Sequence, residues 1–382
     1  MIRNFLIFIS AVLLTACGDT DNSEPPAELV DFDQTQVIEK LWSINTGSGV
    51  GQQYIKLYPL IVDDVIVVAD RQGEVSAYEL DSGKELWSTE LELVLSGGVG
   101  GDKNHLVLTS RNGHVVMLDA NGKIKWKVDA SSEVLMPAQI SANLVIIRSV
   151  DGRMSALNAE DGSEVWTYKR DVPALSLRGN SSPIIKQGYI FTGLDNGRLV
   201  TLDLLDGHVI FDIVVASPSG RSELERLVDI DGHSVIEKDR LYMGSYQGRV
   251  VSIDIRRGQM AWSRKLSTYT GVEFTPAGLF IGDDKDHIWG LDSKNGATLW
   301  KQEKLKARKI TRPVGFKNTL VVADFEGYIH VLSAFDGHFV ARVGTDGSGV
   351  IVPPIVHNGR LYVLTRDGEL NAYNIKLPTE NS

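Results

Sequence analysis

The sequence predicts an all-β fold, an eight-bladed β-propeller whose four-stranded blades close into a ring through an N-terminal strand. The first observation is a glycine-to-tryptophan motif that returns along most of the chain at intervals of about 40 residues. The second is that each interval holds short apolar runs, such as residues 106–108 and 144–147, separated by turn residues. Aromatic and β-branched residues with frequent turn signals argue against an α/β fold.

The N-terminal segment is typical of an exported bacterial lipoprotein. Residues 1–16 combine a basic Arg3, an apolar run too short to span a bilayer, and small residues at Thr15 and Ala16. Cys17 follows directly, and the arrangement resembles the lipobox of bacterial lipoproteins. That resemblance implies a signal peptide over residues 1–16 and fatty acylation, such as palmitoylation, of Cys17, while Gly18 favours export to the outer membrane. An ordinary signal peptide with a chance cysteine is the alternative interpretation.

Residues 17–36 are interpreted as the lipidated cysteine and a flexible acidic tether. Positions 19–33 hold six acidic residues, two prolines and no basic residue, with little apolar surface to bury. Cys17 is the only cysteine, so no disulfide within the chain is expected. The composition of this segment predicts a flexible tether between a membrane anchor and the folded domain.

The propeller is expected over residues 37–376, followed by a short C-terminal tail at residues 377–382. Its motif, first seen at residues 73–87, returns at residues 113–126, 152–166, 197–211, 248–262, 286–300 and 327–341, with the first or last position altered in three copies. An eighth copy begins at Gly368 and ends before its tryptophan position, whereas Trp42 stands alone near the other end of the chain. We therefore predict that an N-terminal strand carrying Trp42 completes the last blade and leaves no open ring edge.

We interpret the repeated tryptophans, the repeated glycines and the scattered histidines as structural residues. Apart from Trp289, every tryptophan fits the motif register, and we expect each to fill the gap between adjacent blades. The repeated glycines are expected at positive φ in tight turns. None of the eight histidines pairs with another at metal-ligand spacing, so we expect them to be solvated and predict no metal site. Residues 283–286 contain three aspartates; we favour an acidic blade turn and keep a bound cation as the alternative.

Two consecutive connections are longer than the others. Successive motif positions lie 38–41 residues apart, except for 45 residues from Gly152 to Gly197 and 51 from Gly197 to Gly248. Both insertions fall between the last strand of one blade and the first strand of the next, so they should emerge on one face and touch. They carry solvent-facing leucines beside an arginine and aspartates, a mix typical of an interface anchor. A self-packed loop, with Arg178 paired to Asp229 or Asp231, is compatible with that role.

The spacing Ala-x5-Gly-x3-Trp, as in Ala77, Gly83 and Trp87, resembles the PQQ-like repeat of quinoproteins. In quinoprotein alcohol dehydrogenases the resemblance implies a stacked tryptophan, a calcium with carboxylate ligands, a catalytic aspartate and often a vicinal disulfide. This chain has one cysteine and shows no carboxylate cluster outside turns that we can place at a ring centre. A PQQ-dependent dehydrogenase is therefore the alternative function, and no cofactor is expected.

The chain resembles the BamB family, the propeller lipoproteins of the outer-membrane β-barrel assembly machinery. The resemblance covers the lipobox, the acidic tether, the eight repeats and the closing strand. The most specific part is residues 173–183 and 222–231, which look like the family's segments that dock the periplasmic POTRA domains of BamA. The resemblance maps the partner-binding residues onto the following positions: Leu175, Leu177, Arg178, Asp229 and Asp231. Gly232 departs from the family, in which a threonine is usual.

The expected function is a non-enzymatic scaffold that binds BamA within the Bam complex, together with other lipoproteins, and assists folding and insertion of outer-membrane proteins. Unfolded outer-membrane proteins are considered as further partners. The formal net charge of −10 repels phosphate and anionic lipid, so neither nucleic acid nor a membrane surface is an expected partner. The expected location is the outer membrane, lipid-anchored and facing the periplasm.

Overall fold

Eight antiparallel four-stranded sheets account for the folded chain in a computed structural model, which describes residues 24–51, 53–177 and 181–377. We number them blades 1 to 8 in chain order. In blades 1 to 7 four consecutive strands form one sheet in sequence order. Among the described residues a single 3-10 turn, Leu224–Arg226, is the helical element, and no helix is long and apolar enough to cross a membrane.

The first four blades contain strands β2 to β17. Blade 1 comprises β2 (Leu60–Val62), β3 (Val65–Ala69), β4 (Glu74–Glu79) and β5 (Glu85–Glu90). Blade 2 comprises β6 (Gly100–Gly101), β7 (His105–Thr109), β8 (His114–Asp119) and β9 (Ile124–Asp129). Blade 3 comprises β10 (Gln139–Ser141), β11 (Leu144–Arg148), β12 (Arg153–Asn158) and β13 (Glu164–Lys169). Blade 4 comprises β14 (Ile184–Lys186), β15 (Tyr189–Gly193), β16 (Arg198–Asp203) and β17 (Val209–Val214).

The remaining blades contain β18 to β32 and the N-terminal strand. Blade 5 comprises β18 (Val235–Glu237), β19 (Arg240–Gly244), β20 (Arg249–Asp254) and β21 (Gln259–Lys265). Blade 6 comprises β22 (Val272–Thr275), β23 (Gly278–Gly282), β24 (Ile288–Leu291) and β25 (Thr298–Gln302). Blade 7 comprises β26 (Val314–Phe316), β27 (Thr319–Ala323), β28 (Tyr328–Ser333) and β29 (Phe339–Gly344). Blade 8 comprises β30 (Ile355–His357), β31 (Arg360–Leu364), β32 (Glu369–Lys376) and β1 (Val37–Asn45).

Burial differs between the strands of one blade because neighbouring blades cover the middle strands on both faces. The second and third strands, such as β3 and β4, are almost fully buried, whereas the outer strand β5 is mostly exposed. Such strands read as continuous apolar runs, since neither face meets water. The core is consequently a ring of small clusters between blades, which confirms the predicted propeller.

Closure of the ring depends on the N-terminal strand. β1 pairs antiparallel with β32, from Val37 opposite Lys376 to Asn45 opposite Glu369. Trp42 lies opposite Ala372 and packs with the Tyr362 ring at a centroid distance of 6.0 Å. The predicted completion of the last blade by residues near Trp42 is confirmed.

The motif tryptophans join each blade to the next one. In each case the indole Nε1–H donates to a main-chain carbonyl of the following blade, at 2.9–3.1 Å: Trp42 to Leu80, Trp87 to Ala120, Trp126 to Ala159, Trp166 to Leu204, Trp262 to Ser293 and Trp300 to Ala334. A turn glycine lies under each ring; at Gly207, with φ +72°, a Cβ would stand 2.5 Å from the Trp166 ring. Glycine is needed there for positive φ and for close packing. The predicted role of these tryptophans between blades is confirmed.

Residues 24–36 depart from the expected flexible tether. Arg308 and Arg342 donate to the main-chain oxygens of Ala27 and Val30, both at 2.9 Å, and Phe32 stacks on Phe339 at 5.4 Å. This segment therefore packs against blades 6 and 7, because the acidic stretch contains apolar side chains at positions that face blade 7. The tether prediction is wrong for residues 24–36, while Cys17 and the leader lie outside the described residues.

The expectation of solvated histidines is also wrong in part. His330 is fully buried; its Nε2 lies 3.0 Å from Asp324 Oδ2 and its Nδ1 accepts from Arg342 Nε at 3.1 Å. Burial lowers the pKa of His330. His287 is buried as well, with Nδ1 3.0 Å from Asp283 Oδ2. Both rings sit beside turn aspartates of their blades, a placement that the sequence spacing does not reveal.

Candidate functional site

Two long connections flank blade 4 and meet on one face of the ring. We define loop 3–4 as residues 170–183 and loop 4–5 as residues 215–234, each joining an outer strand to the next inner strand. The Leu177 main-chain N–H donates to Asp229 Oδ2, which ties the first loop to the second. The predicted contact between the two insertions is confirmed.

Loop 3–4 begins at a fixed base and presents two leucines. Arg170 and Arg198 each donate to Asp212 on β17 at 2.5 Å, which fastens the start of the loop to blade 4. Leu175 and Leu177 are each 39% exposed. Arg178, the third expected residue of this loop, lies outside the described residues.

Loop 4–5 is anchored by its apolar residues and carries its aspartates inward. Leu227, Val228 and Ile230 are buried, and Ile230 fills the space beside Gly193, where a Cβ would stand 2.2 Å from its side chain. Within the 3-10 turn Leu224–Arg226, Glu225 accepts main-chain N–H groups of residues 221 and 222, which lowers its pKa. Residues 227–230 of the loop are therefore packed against the blades, whereas residues 217–226 are exposed.

Asp229 and Asp231 are buried beneath the leucines rather than exposed. Asp229 is 1% exposed, and burial together with Asp195 raises its pKa to about 6, against the opposing effects of the Leu177 amide and Arg148. Both carboxylate oxygens of Asp231 are buried without a hydrogen-bond partner among the described residues, and burial, Asp195 and Asp229 raise its pKa well above the ordinary value. From this buried position the two carboxylates influence the conformation of the junction between loops 3–4 and 4–5.

A buried ion pair beside these aspartates was not anticipated from the sequence. Arg148, at the end of β11, donates to Asp195 Oδ1 at 2.6 Å and to the Gly193 main-chain oxygen at 2.6 Å. The equivalent strands of blades 1 and 2 end in Ala69 and Thr109. A charged residue closing an otherwise apolar strand was the available signal. Arg148 partly offsets the negative charge of the three aspartates.

A central cavity opens on the axis of the ring. Its volume is about 560 Å³, and it is lined by residues of all eight blades, including Tyr54, Lys56, Asp231, His233 and Tyr269. No tryptophan lines this cavity in the described chain, and Asp231 is its one carboxylate. These residues do not fit the stacked tryptophan and carboxylate-bound calcium that the quinoprotein dehydrogenase resemblance implies.

The acidic turn at residues 283–286 uses its carboxylates within the chain. Asp283 accepts the main-chain N–H groups of Lys285 and His287 at 2.9 Å and the indole N–H of Trp289 at 2.9 Å. Asp286 replaces the turn glycine at φ +65° and accepts the N–H groups of residues 309 and 310. The turn interpretation therefore accounts for these aspartates. A further acidic group, Asp203, Asp206 and His208, lies in an exposed turn of blade 4.

Comparison with known proteins places these features in a family. A family model described as outer membrane protein assembly factor BamB matches residues 71–302 and 291–377. A relative of the same name from Pseudomonas aeruginosa is 38% identical over 370 residues, covering 96% of this chain and 97% of the relative. The crystal structure of BamB from Moraxella catarrhalis is 29% identical with a TM-score of 0.81, covering 88% of this chain and 100% of that one.

A more distant structural match concerns the fold alone. Quinohemoprotein alcohol dehydrogenase from Comamonas testosteroni shares 14% identity with a TM-score of 0.69, covering 90% of this chain and 78% of that one. Similar architecture at such low identity says nothing about chemistry, because one fold hosts many unrelated functions.

Proposed function

We propose that this chain, which belongs to the family of the outer membrane protein assembly factor BamB, is a non-enzymatic scaffold that binds the periplasmic POTRA domains of BamA. It acts within the Bam complex and assists folding and insertion of outer-membrane proteins. Acylated Cys17 anchors it to the outer membrane on the periplasmic side. Fatty-acid labelling of the wild-type protein, and its loss in Cys17→Ser, tests this anchor.

The observation that carries the proposal is the junction of loops 3–4 and 4–5. Leu175 and Leu177 expose apolar surface on a loop that is held from below by Asp229 and at its base by Arg170. Pre-ordered apolar anchors bind with little loss of conformational entropy, and they are typical of interface hot spots. Arg178 adds a charge next to these leucines in the sequence and would set the register of the partner.

Within this arrangement the two leucines touch the partner, and the two aspartates position them. Asp229 accepts the Leu177 amide directly, so its removal would change the loop rather than delete a contact with BamA. Asp231 lies deeper, beside the central cavity. We therefore expect partner binding to depend on all five residues, but through two different physical routes.

The test measures binding of the purified protein to purified POTRA domains. The Leu175→Ala, Leu177→Ala double variant should bind roughly 30-fold more weakly, the equivalent of about 2 kcal/mol at a hot spot. Its melting temperature should match that of the wild type, because both leucines are half-exposed. Leu299→Ala on blade 6, a leucine that is 51% exposed, is the control and should bind normally. Normal binding by the folded double variant would refute the site.

A further inference from the structure

A third long connection lies on the face that carries loops 3–4 and 4–5. We define loop 8–1 as residues 46–59, which join β1, the outer strand of blade 8, to β2, the inner strand of blade 1. It is as long as loop 3–4 and joins the same two types of strand, so it emerges on the same face of the ring. The motif spacing did not reveal this loop, because it lies before the first motif glycine, Gly73.

Both ends of loop 8–1 are fixed by neighbouring parts of the ring. The Arg366 main-chain oxygen accepts the Val50 N–H at 2.9 Å, and Asp70 Oδ2 accepts the Ser48 hydroxyl at 2.8 Å. Toward the other end of the loop, Leu57 is buried in an apolar cluster between blades. The residues between these fixed points are therefore presented on a supported loop, which lowers the entropy lost when a partner binds.

Tyr54 is the exposed side chain that this loop presents. It is 69% exposed, and no aromatic side chain among the described residues is more exposed. Tyr54 lines the central cavity, and the ring centroid lies 6.0 Å from Lys56 Nζ, which lines the cavity as well. Tyrosine is enriched at the hot spots of protein interfaces, because it offers a large apolar ring together with a polar hydroxyl.

Positive charge predominates along the wall of the central cavity. Its lysine and arginine side chains are Lys56, Lys309, Arg312 and Arg366. Arg312 pairs with Glu273, whereas the other three make no ion pair with a carboxylate of the described chain. Asp231, the one described carboxylate in the wall, can balance only part of this charge. The cavity therefore has the opposite sign to the chain as a whole, whose formal net charge is −10, and a concave site concentrates the field of its charges.

Loops 3–4 and 4–5 form another part of the same wall. Ser182 of loop 3–4 and Asp231 of loop 4–5 line the cavity together with Lys56 of loop 8–1. Burial raises the pKa of Asp231, and the charge of Lys56 opposes that shift, so the two side chains act on one another at the cavity. The mouth of the cavity is thus continuous with the two loops of the proposed partner site.

We propose that the mouth of the central cavity binds an acidic segment of polypeptide, whose carboxylates pair with the unpaired cations while Tyr54 packs against the bound chain. Ligand pockets bury most of the surface of a small molecule. An exposed tyrosine at the mouth favours instead an occupant that extends beyond the cavity. Complementary charge would steer this occupant and set its register.

The shared face indicates where the acidic segment comes from. Leu175 and Leu177 lie on loop 3–4, which also contributes Ser182 to the cavity wall. A partner seated on these leucines could therefore reach the cavity mouth with a neighbouring segment of its own chain. The identity of this partner rests on the proposed function, whereas the preference of the cavity for carboxylates does not.

The experiment measures binding of a fluorescent octapeptide that alternates glutamate with tyrosine to the full-length purified protein in mild detergent. The same peptide with glutamine in place of glutamate is the control. Wild-type protein should bind the glutamate peptide about tenfold more tightly, and the difference should shrink in about 500 mM salt, which screens exposed charges. Equal affinity for the two peptides would overturn the proposal. Displacement of the peptide by citrate as effectively as by unlabelled peptide would assign the cavity to a small anion and overturn it as well.

Paired charge variants test the cavity cations. Lys56→Gln with Lys309→Gln should weaken binding of the glutamate peptide about tenfold. Lys125→Gln with Lys127→Gln removes the same charge from the outer strand β9, outside the cavity lining, and should bind normally. Melting curves check the fold of each variant, and Lys309→Gln alone, at an exposed position, should still show a smaller loss. Equal losses in the two double variants would indicate a general effect of charge and contradict the site.

A second pair of variants tests the exposed ring. Tyr54→Ala should weaken peptide binding about fivefold with an unchanged melting temperature, because the ring is mostly exposed. Phe335→Ala, at a residue that is 65% exposed and outside the cavity lining, is the control and should bind normally. Unchanged affinity of Tyr54→Ala would refute the contact assigned to this ring.

Binding to purified POTRA domains separates this inference from the proposed function. The Lys56→Gln, Lys309→Gln variant should bind the POTRA domains more weakly than the wild type. Normal POTRA binding by this variant would overturn the assignment of the acidic segment to that partner. Normal POTRA binding by the Leu175→Ala, Leu177→Ala variant refutes only the proposed function, since the peptide measurement does not depend on those leucines.

Discussion

The blade interfaces and the junction of loops 3–4 and 4–5 differ in whether their buried polar groups are hydrogen-bonded. At an interface such as Trp166 over Gly207, an aromatic ring fills the space and its N–H finds a carbonyl at 3.0 Å. At the junction, three buried carboxylate oxygens of Asp229 and Asp231 have no hydrogen-bond partner in the part of the chain that the structure describes. The first arrangement recurs around the ring, whereas the second is found beside blade 4.

This difference separates residues kept for stability from residues kept for another purpose. Burying an unpartnered carboxylate costs free energy, which the fold tolerates only where the rest of the structure enforces it. Well-satisfied apolar interfaces contribute stability and nothing that a partner could recognise. We expect substitutions at the interfaces to alter unfolding, and substitutions at the junction to alter binding or pH dependence.

The largest effect is expected from breaking the ring. Deletion of residues 37–45 removes β1, exposes the edge of β32 and empties the space that Trp42 fills against Gly83. The free energy of unfolding should fall by several kcal/mol, on the order of 3–5 for the aromatic cavity alone. Deletion of residues 24–36 is the control and should cost less, because it uncovers only one blade edge. Equal melting temperatures of the two deletions would contradict the role of β1.

A smaller loss is expected from a single interface. Trp166→Ala should destabilise the protein by about 3–5 kcal/mol, measured by denaturant unfolding, because the ring is buried between blades 3 and 4. Gly207→Ala should also destabilise, since its φ is +72° and the added carbon would meet the same ring. The Leu175→Ala, Leu177→Ala variant should change stability little. A destabilisation as large as that of Trp166→Ala would show that the loop belongs to the core.

The smallest effect concerns Asp229 and depends on pH. Its pKa is about 6 in the folded chain and about 3.8 in the ordinary case, so folding favours the protonated form. Its contribution to stability is therefore full below about pH 4 and is lost as pH rises through about 6. Asp229→Asn should leave stability nearly unchanged at pH 4 and raise it relative to wild type at pH 8. A difference independent of pH would contradict the raised pKa.

The repeats could be recognised in the sequence because equivalent positions in different blades have similar environments. The motif of Ala77, Gly83 and Trp87 recurs at regular intervals, with altered positions in some copies, since most blades use a turn at positive φ and an aromatic ring against a neighbour. Insertion lengths likewise identified two loops on one face. The closing strand and the contact between the loops followed from these spacings.

Other features could not be predicted from the sequence because they depend on contacts between residues that are far apart in the chain. Arg148 meets Asp195 only when blades 3 and 4 stack, and His330 is buried with its two ring nitrogens beside Asp324 and Arg342. The acidic composition of residues 19–33 predicted a flexible tether, yet Phe32 stacks on Phe339 of blade 7. Composition averages over a segment, whereas docking depends on single side chains.

What the sequence alone determined is the architecture: eight blades, their closure and the two unusual connections, because local periodicity and turn chemistry repeat often enough to exclude other folds. Tertiary structure alone decided which carboxylates are buried, which blade edge is covered and which is open. Val209 and Phe339 hold equivalent positions in the repeat, but only Phe339 is covered by residues 30–36. Such differences arise from the free energy of packing between distant segments, for which a local pattern carries no signal.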